Sequence, residues 1–361
     1  MKKVLFDGNF QNDTLWAQMN ACLFSAVAGI ASDYKFFGLA NQPKLVSFSK
    51  NVVLKNADFV CNDNIWHNLI LPLACLFNKN VPIYFPNGNV PSFIPASTPV
   101  VTMIRDISAI DYPEQFENSK SEKTFRRKIQ TAINRSDLIF VPTEYTKKKL
   151  QEEFYMGEAP VVLNFASLIS SEYLDLPLTM NNERYFFVEA QNVSPDGLNE
   201  LLKIFIYMHT TKKNDAMLYL AGDFDINSNE LLLNLEVARK IGVLREYDNL
   251  STGQRAALMK GAIAAILPSK RDTLPIAHLD AMKCSCPVVT DNTPSVYEVC
   301  EDAVLYADIY NMNDYCEILT KLEQDNIFRK DFIYRGLYRE QSYSWENSAR
   351  IFLENLELAC E

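Results

Sequence analysis

No apolar run in this chain approaches the roughly 18 residues needed to cross a bilayer; the nearest candidate, NLILPLACLF at 68–77, is too short. The start, MKKVLFDGNF, reaches Asp7 after three apolar residues and so reads as a first strand rather than a signal peptide. The eight cysteines, Cys22, Cys61, Cys75, Cys284, Cys286, Cys300, Cys316 and Cys360, form no C-x-x-C pair. A reduced, buried set in the cytoplasm is expected, in place of a disulfide framework or structural zinc. A phosphate-binding loop, G-x-G-x-x-G, G-x-S-x-G and zinc spacings are all missing. The three histidines, His67, His209 and His278, lie far apart in apolar contexts and are expected to pack rather than form a triad. Positive charge is also short. The net charge of −10 argues against nucleic acid, whose phosphates demand a basic face.

What is present is an ordinary globular balance, 48% hydrophobic and 22% charged residues, in a 361-residue chain long enough for two domains. Residues 1–170 carry 17 Lys and Arg against 15 Asp and Glu, and the remainder carries 18 against 30. That asymmetry fits two domains with different jobs. Short β-rich runs alternate with helical patterns almost throughout, which is how parallel βαβ units read. Strands are expected at 2–8, 44–49, 58–62, 81–85, 99–104 and 137–142, with helices at 14–30, 64–77 and 122–134. A second set of strands is expected at 184–190, 216–222, 264–269, 287–291 and 303–307. Periodicity is lost near 165–182, and 344–361 reads as a final amphipathic helix capped by Ser344. The fold class is therefore α/β, with doubly wound domains over 1–170 and 178–343. In such sheets ligands sit beyond the carboxyl ends of the strands.

The segment ILPSKRDTLPIAHLDAM (266–282) runs from a strand through a polar corner into a helix. Pro275 suits a first helical turn, whose backbone N–H groups and partial positive charge make a ready site for phosphate. Asp272 stands at the mouth and Asp280 two turns inside. A carboxylate can accept two hydroxyls of a vicinal diol, so each suits a sugar. Taken alone, the same segment also fits a capping Asp272 and a solvated Asp280.

The surroundings favour the first reading. PSKRDTLPIAHLDAMKCSCPVV resembles the segment that carries two Glu separated by seven residues in the group 1 (family 4) glycosyltransferases, retaining enzymes of the GT-B fold. Asp272 and Asp280 fall on those Glu positions. TDNTPSVYEVCEDAVLYAD, LSTGQRAALMKGAIAAILPS, PVVTMIRDISAIDYPEQF and SDLIFVPTEYTKKKL resemble further family segments, in order, across most of 80–350. The resemblance implies two Rossmann-like domains facing across a cleft: 1–170 on the acceptor side, 178–343 for the nucleotide sugar, and a helix at 344–361 crossing back to the first. It implies that Asp280 holds the ribose hydroxyls and Asp272 hydroxyls of the donor sugar. Backbone amides of Thr273, Leu274, Ile276 and Ala277 would then lie near the diphosphate.

The chain departs from the family at several of these points. Gln191 and Asp196 stand where the family has Arg and Lys to neutralise the leaving diphosphate, Arg105 replaces a His, and Pro275 replaces a Gly. Only Gly8 remains of the glycine-rich loop after the first strand. Lys270, Arg271 and Arg105 are the candidate replacements for the missing cations, with Asp272 and Arg105 as the catalytic pair. The expected activity is transfer of a sugar from a nucleotide-diphosphate donor to a glycan or lipid-linked acceptor, for cell-surface polysaccharide or glycoconjugate. The alternative is a degenerate homologue acting as a binding or partner subunit beside another protein. No cofactor or metal is expected; the Asp223 and Asp225 of GDFD are a weak candidate for one. The lysine-rich stretches 120–128 and 147–149 are candidates for peripheral contact with anionic lipid at the inner membrane face.

Overall fold

The structure, a computed structural model, describes residues 2–9, 14–41, 50–56, 62–113, 116, 118–175, 183–248, 250–268 and 274–360. The chain forms two compact units: Met1–Ala166 with Tyr343–Glu361, and Ser167–Ser342.

Unit 1 is built on a parallel sheet of seven described strands: β1 (Lys2–Asp7), β2 (Tyr34–Ala40), β3 (Val52–Asn56), β4 (Ile83–Phe85), β5 (Val100–Met103), β6 (Leu138–Val141) and β7 (Val161–Val162). Their order is β3-β2-β1-β4-β5-β6-β7. Unit 2 holds β8 (Tyr185–Glu189), β9 (Met217–Ala221), β10 (Leu244–Tyr247), β11 (Ala265–Leu267), β12 (Val288–Thr290) and β13 (Leu305–Tyr306), ordered β10-β9-β8-β11-β12-β13 and again parallel. Both orders reverse at one point, between β1 and β4 and between β8 and β11. That is where chains diverge from the sheet edge and leave a crevice for ligands.

The central strands read clearly from sequence because both faces are covered: β8 is buried at all five positions and β5 at all four. The edges did not. β3, β7 and β10 were not anticipated, and β10 (LREY) shows why, since an edge strand carries charges and lacks a continuous apolar run. β2 was also missed; its burial alternates, with Tyr34, Phe36 and Ala40 facing inward. The strand expected at 44–49 lies outside the described residues, as does 58–62 except Asn62.

Helices begin where side chains can take up orphan amides. Ser194 accepts from Gly197 N at 3.1 Å ahead of the helix Pro195–Lys212, and Ser344 accepts from Asn347 N at 3.1 Å ahead of Trp345–Leu358. The first of these helices buries Leu198, Leu201, Leu202 and Phe205 in the core of unit 2. The second inserts Phe352, fully buried, among Phe36, Tyr84 and Phe140, with ring centroids 6.3, 5.4 and 5.4 Å away. It is further tied down by Ser348 Oγ donating to Asn164 O at 2.5 Å and Tyr34 OH donating to Glu357 at 2.9 Å. Gly8 serves packing here: a Cβ in its place would lie 2.8 Å from Leu54 Cδ1 and 2.9 Å from Leu39 O.

Candidate functional site

In unit 2 the crevice lies where β8 and β11 end. β8 delivers Glu189 and then the short turn Ala190–Asn192, in which Gln191 is exposed. Asp196 is exposed in the first turn of the next helix, where a carboxylate is favoured by the positive end of the helix dipole. The anion that replaces a family cation is thus locally comfortable.

After β11, Lys270, Arg271, Asp272 and Thr273 lie outside the described residues. Leu274 and Pro275 are described. Pro275 adopts φ −76° and ψ 58°, and Ile276 N donates to Leu274 O at 2.7 Å, an inverse γ-turn. The Ile276 amide, expected near a phosphate, is therefore already committed to the turn. Ala277 is half-buried in the first turn of the helix Ile276–Lys283, whose leading amides have no acceptor four residues back.

Asp280 sits on the second turn of that helix and is fully buried. Its Oδ1 accepts from Ser167 Oγ and from Leu168 N, each at 2.7 Å, and its Oδ2 accepts from Arg255. Arg255 comes from the helix Thr252–Gly261 and also donates to Glu189 Oε1 at 3.2 Å, while Asn192 Nδ2 donates to Glu189 Oε2 at 3.1 Å. Burial pushes the Glu189 carboxyl upward from its usual range, and the Arg255 guanidinium opposes this. The carboxylate expected to meet a ribose is thus turned toward Ser167, Leu168 and Arg255. Glu189 and Arg255 escaped the sequence reading; the one available clue was that Glu189 ends an apolar strand.

His278 is a packing histidine: its Nε2 bonds Thr290 Oγ1 at 2.8 Å, and burial pulls its pKa down to about 3. His67 departs from that expectation. Its Nε2 lies 3.3 Å from Asp7 Oδ2, at the carboxyl end of β1 in unit 1. Arg105, two residues past β5, lies over the Trp16 ring at 5.4 Å, and Trp16 Nε1 donates to Pro86 O at 3.0 Å just beyond β4.

The lysines of 147–149 pair with carboxylates: Lys147 with Glu144, Lys148 with Glu152, and Lys149 with Asp111 at 2.6 Å. Among the described residues no group of three or more His, Cys, Asp or Glu is placed to hold a metal ion, and no helix is long and apolar enough to cross a membrane. The seven described cysteines are free thiols. A cavity of about 840 Å³ lined by Arg184, Lys213 and Glu323 opens at the amino-terminal edge of the unit 2 strands, away from the crevice.

Residues 177–338 match the family model for glycosyl transferases group 1. The chain is 22% identical over 258 residues to the O-antigen chain mannosyltransferase B of Escherichia coli, covering 68% of this chain and 67% of that protein. It is 23% identical over 143 residues to a D-inositol 3-phosphate glycosyltransferase of Arthrobacter sp. (strain FB24), covering 39% of this chain and 33% of that one. Among solved structures, sucrose-phosphate synthase from Thermosynechococcus elongatus superimposes with a TM-score of 0.71 at 12% identity over the whole of both chains. Anabaena HepE, solved in complex with UDP and glucose, gives 0.70 at 13% identity over 99% of each. Residues 177–338 are thus similar to the group 1 glycosyl transferases, and the likeness to the solved structures shows a GT-B fold.

Proposed function

We propose that the protein is a glycosyltransferase that moves a sugar from a nucleotide-diphosphate donor to a hydroxyl of a glycan or related acceptor, in the making of cell-surface polysaccharide or glycoconjugate. The family match over unit 2 carries this reading, since it spans both strand ends that frame the crevice and the helix Ile276–Lys283. In the transfer the bond from the anomeric carbon to the diphosphate oxygen breaks, leaving its electron pair on phosphate, while the acceptor oxygen bonds to that carbon and gives up its proton. The protein's main task is to stabilise charge growing on the diphosphate. The first-turn amides from Ala277 onward suit that task, and Lys270 and Arg271 supply cations in the segment leading to them. Retention at the anomeric carbon follows from the family likeness. Asp280 acts through its partners, holding Ser167, Leu168 and Arg255 in place behind the crevice.

The test is thermal stabilisation of the full chain by UDP, GDP, ADP and dTDP, each at millimolar concentration. A donor nucleotide at 100 times its Kd should add about 2.7 kcal/mol of stability. Gln191→Arg with Asp196→Lys, which restores the family's basic pair, provides the counter-test. If the native chain responds to none of the four and the double variant does, the site is degenerate and the transferase reading fails.

A further inference from the structure

Residues 63–77 of unit 1 run as helix from end to end, widening to a π-helical turn at Trp66–Ile70 between the α-helical stretches Asp63–Ile65 and Leu71–Phe77. Trp66, Leu71 and Cys75 face the core, in one cluster with Leu5 of β1 and with Ile83 and Phe85 of β4. The outer side is apolar as well. Ile65, Leu69, Leu73 and Leu76 are between 40 and 52% exposed, and Phe77 is 86% exposed. Steps of four, four, three and one residue set them along one stripe of the helix surface. Asn64 and Asn68 are exposed beside it, and 64–78 hold no Asp, Glu, Lys or Arg. A contiguous apolar stripe left in water marks an interaction surface.

The charge around the stripe indicates its partner. The chain has a net charge of −10, yet residues 34–105 hold six Lys and Arg against two Asp and no Glu. Side chains along a strand alternate between faces, and Phe37 and Leu39 of β2 pack against the same core as the helix. Lys35 shares their face, and so by register do Val53 and Lys55 of β3, which pair with Phe37 and Leu39. Lys3 of β1, paired with Lys35, donates to Asn78 Oδ1 at 2.5 Å and lies over the Phe37 ring at 4.8 Å. That brings it to the end of the helix, where Phe77 and the exposed Lys79 stand. Among the described residues none of Lys3, Lys35, Lys55 and Lys79 has a carboxylate partner, unlike the lysines of 147–149.

We propose that residues 63–77 seat unit 1 on an anionic lipid surface, the stripe from Ile65 to Phe77 entering the acyl boundary and Lys3, Lys35, Lys55 and Lys79 meeting headgroup phosphates. A helix with an apolar outer side and lysines at its flanks binds such a surface, and each lysine close to it strengthens binding. A second copy of the chain fits this face poorly, because a two-fold contact sets lysine against lysine. The assignment is independent of the transferase reading.

Cosedimentation of the full chain with vesicles tests it, using phosphatidylcholine alone and phosphatidylcholine with one third phosphatidylglycerol. Binding to the anionic vesicles should weaken as salt rises and should exceed binding to the neutral ones at least about tenfold. Phe77→Ser should weaken it about tenfold, through loss of one large apolar side chain from the acyl boundary, and Lys79→Gln about fivefold. Both side chains are exposed, so the melting temperature should not move; Leu69→Ser is a second variant of the stripe. Arg127→Gln with Lys128→Gln, in the other lysine-rich stretch, should leave binding as it is. No binding to anionic vesicles, equal binding to both kinds, binding that the stripe variants leave intact, or loss only in the Arg127 and Lys128 variant overturns the proposal. So does self-association in lipid-free buffer that Phe77→Ser abolishes, which assigns the stripe to a second copy.

Discussion

Replacing Asp280 by Asn separates two roles that one carboxylate could fill. The amide keeps the size and can still accept from Ser167 Oγ and Leu168 N, each 2.7 Å from Oδ1 in the native chain. What changes is the partner of Arg255, which is left with Glu189 Oε1 at 3.2 Å as its anion. Asp280 is fully buried and the Arg255 side chain is only 14% exposed, so solvent does little to screen the loss. Removing one member of a buried pair costs roughly 3–5 kcal/mol, and the retained hydrogen bonds and the remaining anion place this change near the lower end, about 3 kcal/mol. For a unit the size of Ser167–Ser342, each 1 kcal/mol moves the melting temperature by about 2–4 °C, so a fall of roughly 6–12 °C is expected. Differential scanning calorimetry at neutral pH reads it, with urea unfolding as a check on the free energy. Nucleoside diphosphate affinity, measured well below the transition, should change by less than about threefold. The opposite pattern, unchanged melting with nucleotide binding lost, would refute the clamp and return Asp280 to the ribose.

Why the site was harder to read than the fold follows from where the information lies. Two-sided burial writes itself into sequence as runs such as FFVE in β8 and VVTM in β5, so the parallel α/β class was legible before any coordinates. Edge strands bury one face, and LREY in β10 looks like a loop because Arg245 pairs with Glu183 across 2.8 Å and Tyr219 sits under it. The corner at 266–282 was legible as a place, since a strand, a proline and a helix follow one another there. The partners of Asp280 were not, because Ser167 and Arg255 stand 113 and 25 residues away in the chain. Asp7 and His67 were hidden for the same reason, 60 residues apart and joined only when β1 and the π-helical turn meet. A motif can be matched to a family position by spacing, but what its side chain touches is decided by such distant meetings.

Two further outcomes test the packing. Phe352→Ala empties a fully buried ring site among Phe36, Tyr84 and Phe140, so about 3–5 kcal/mol should be lost and melting should fall by roughly 10 °C; an unchanged transition would mean that the last helix is no part of the unit 1 core. The last concerns acid. His278, fully buried, titrates near pH 3 in the folded chain against 6.5 for the free side chain. Between those values the unfolded chain binds a proton that the folded one refuses, so folding weakens as pH falls below about 6.5. At one proton and about 1.36 kcal/mol per pH unit, the step from pH 7 to pH 5 should remove about 2 kcal/mol through this residue. Thr290 Oγ1 donates to Leu267 O at 2.9 Å and so accepts from His278 Nε2–H, which fixes the tautomer of the neutral ring. His278→Gln can keep one donor to Thr290 but has no proton to gain, so its urea-unfolding free energy should fall by about 2 kcal/mol less than the native chain's over the same interval. Parallel losses in the two proteins would show that His278 is not the group that acid attacks.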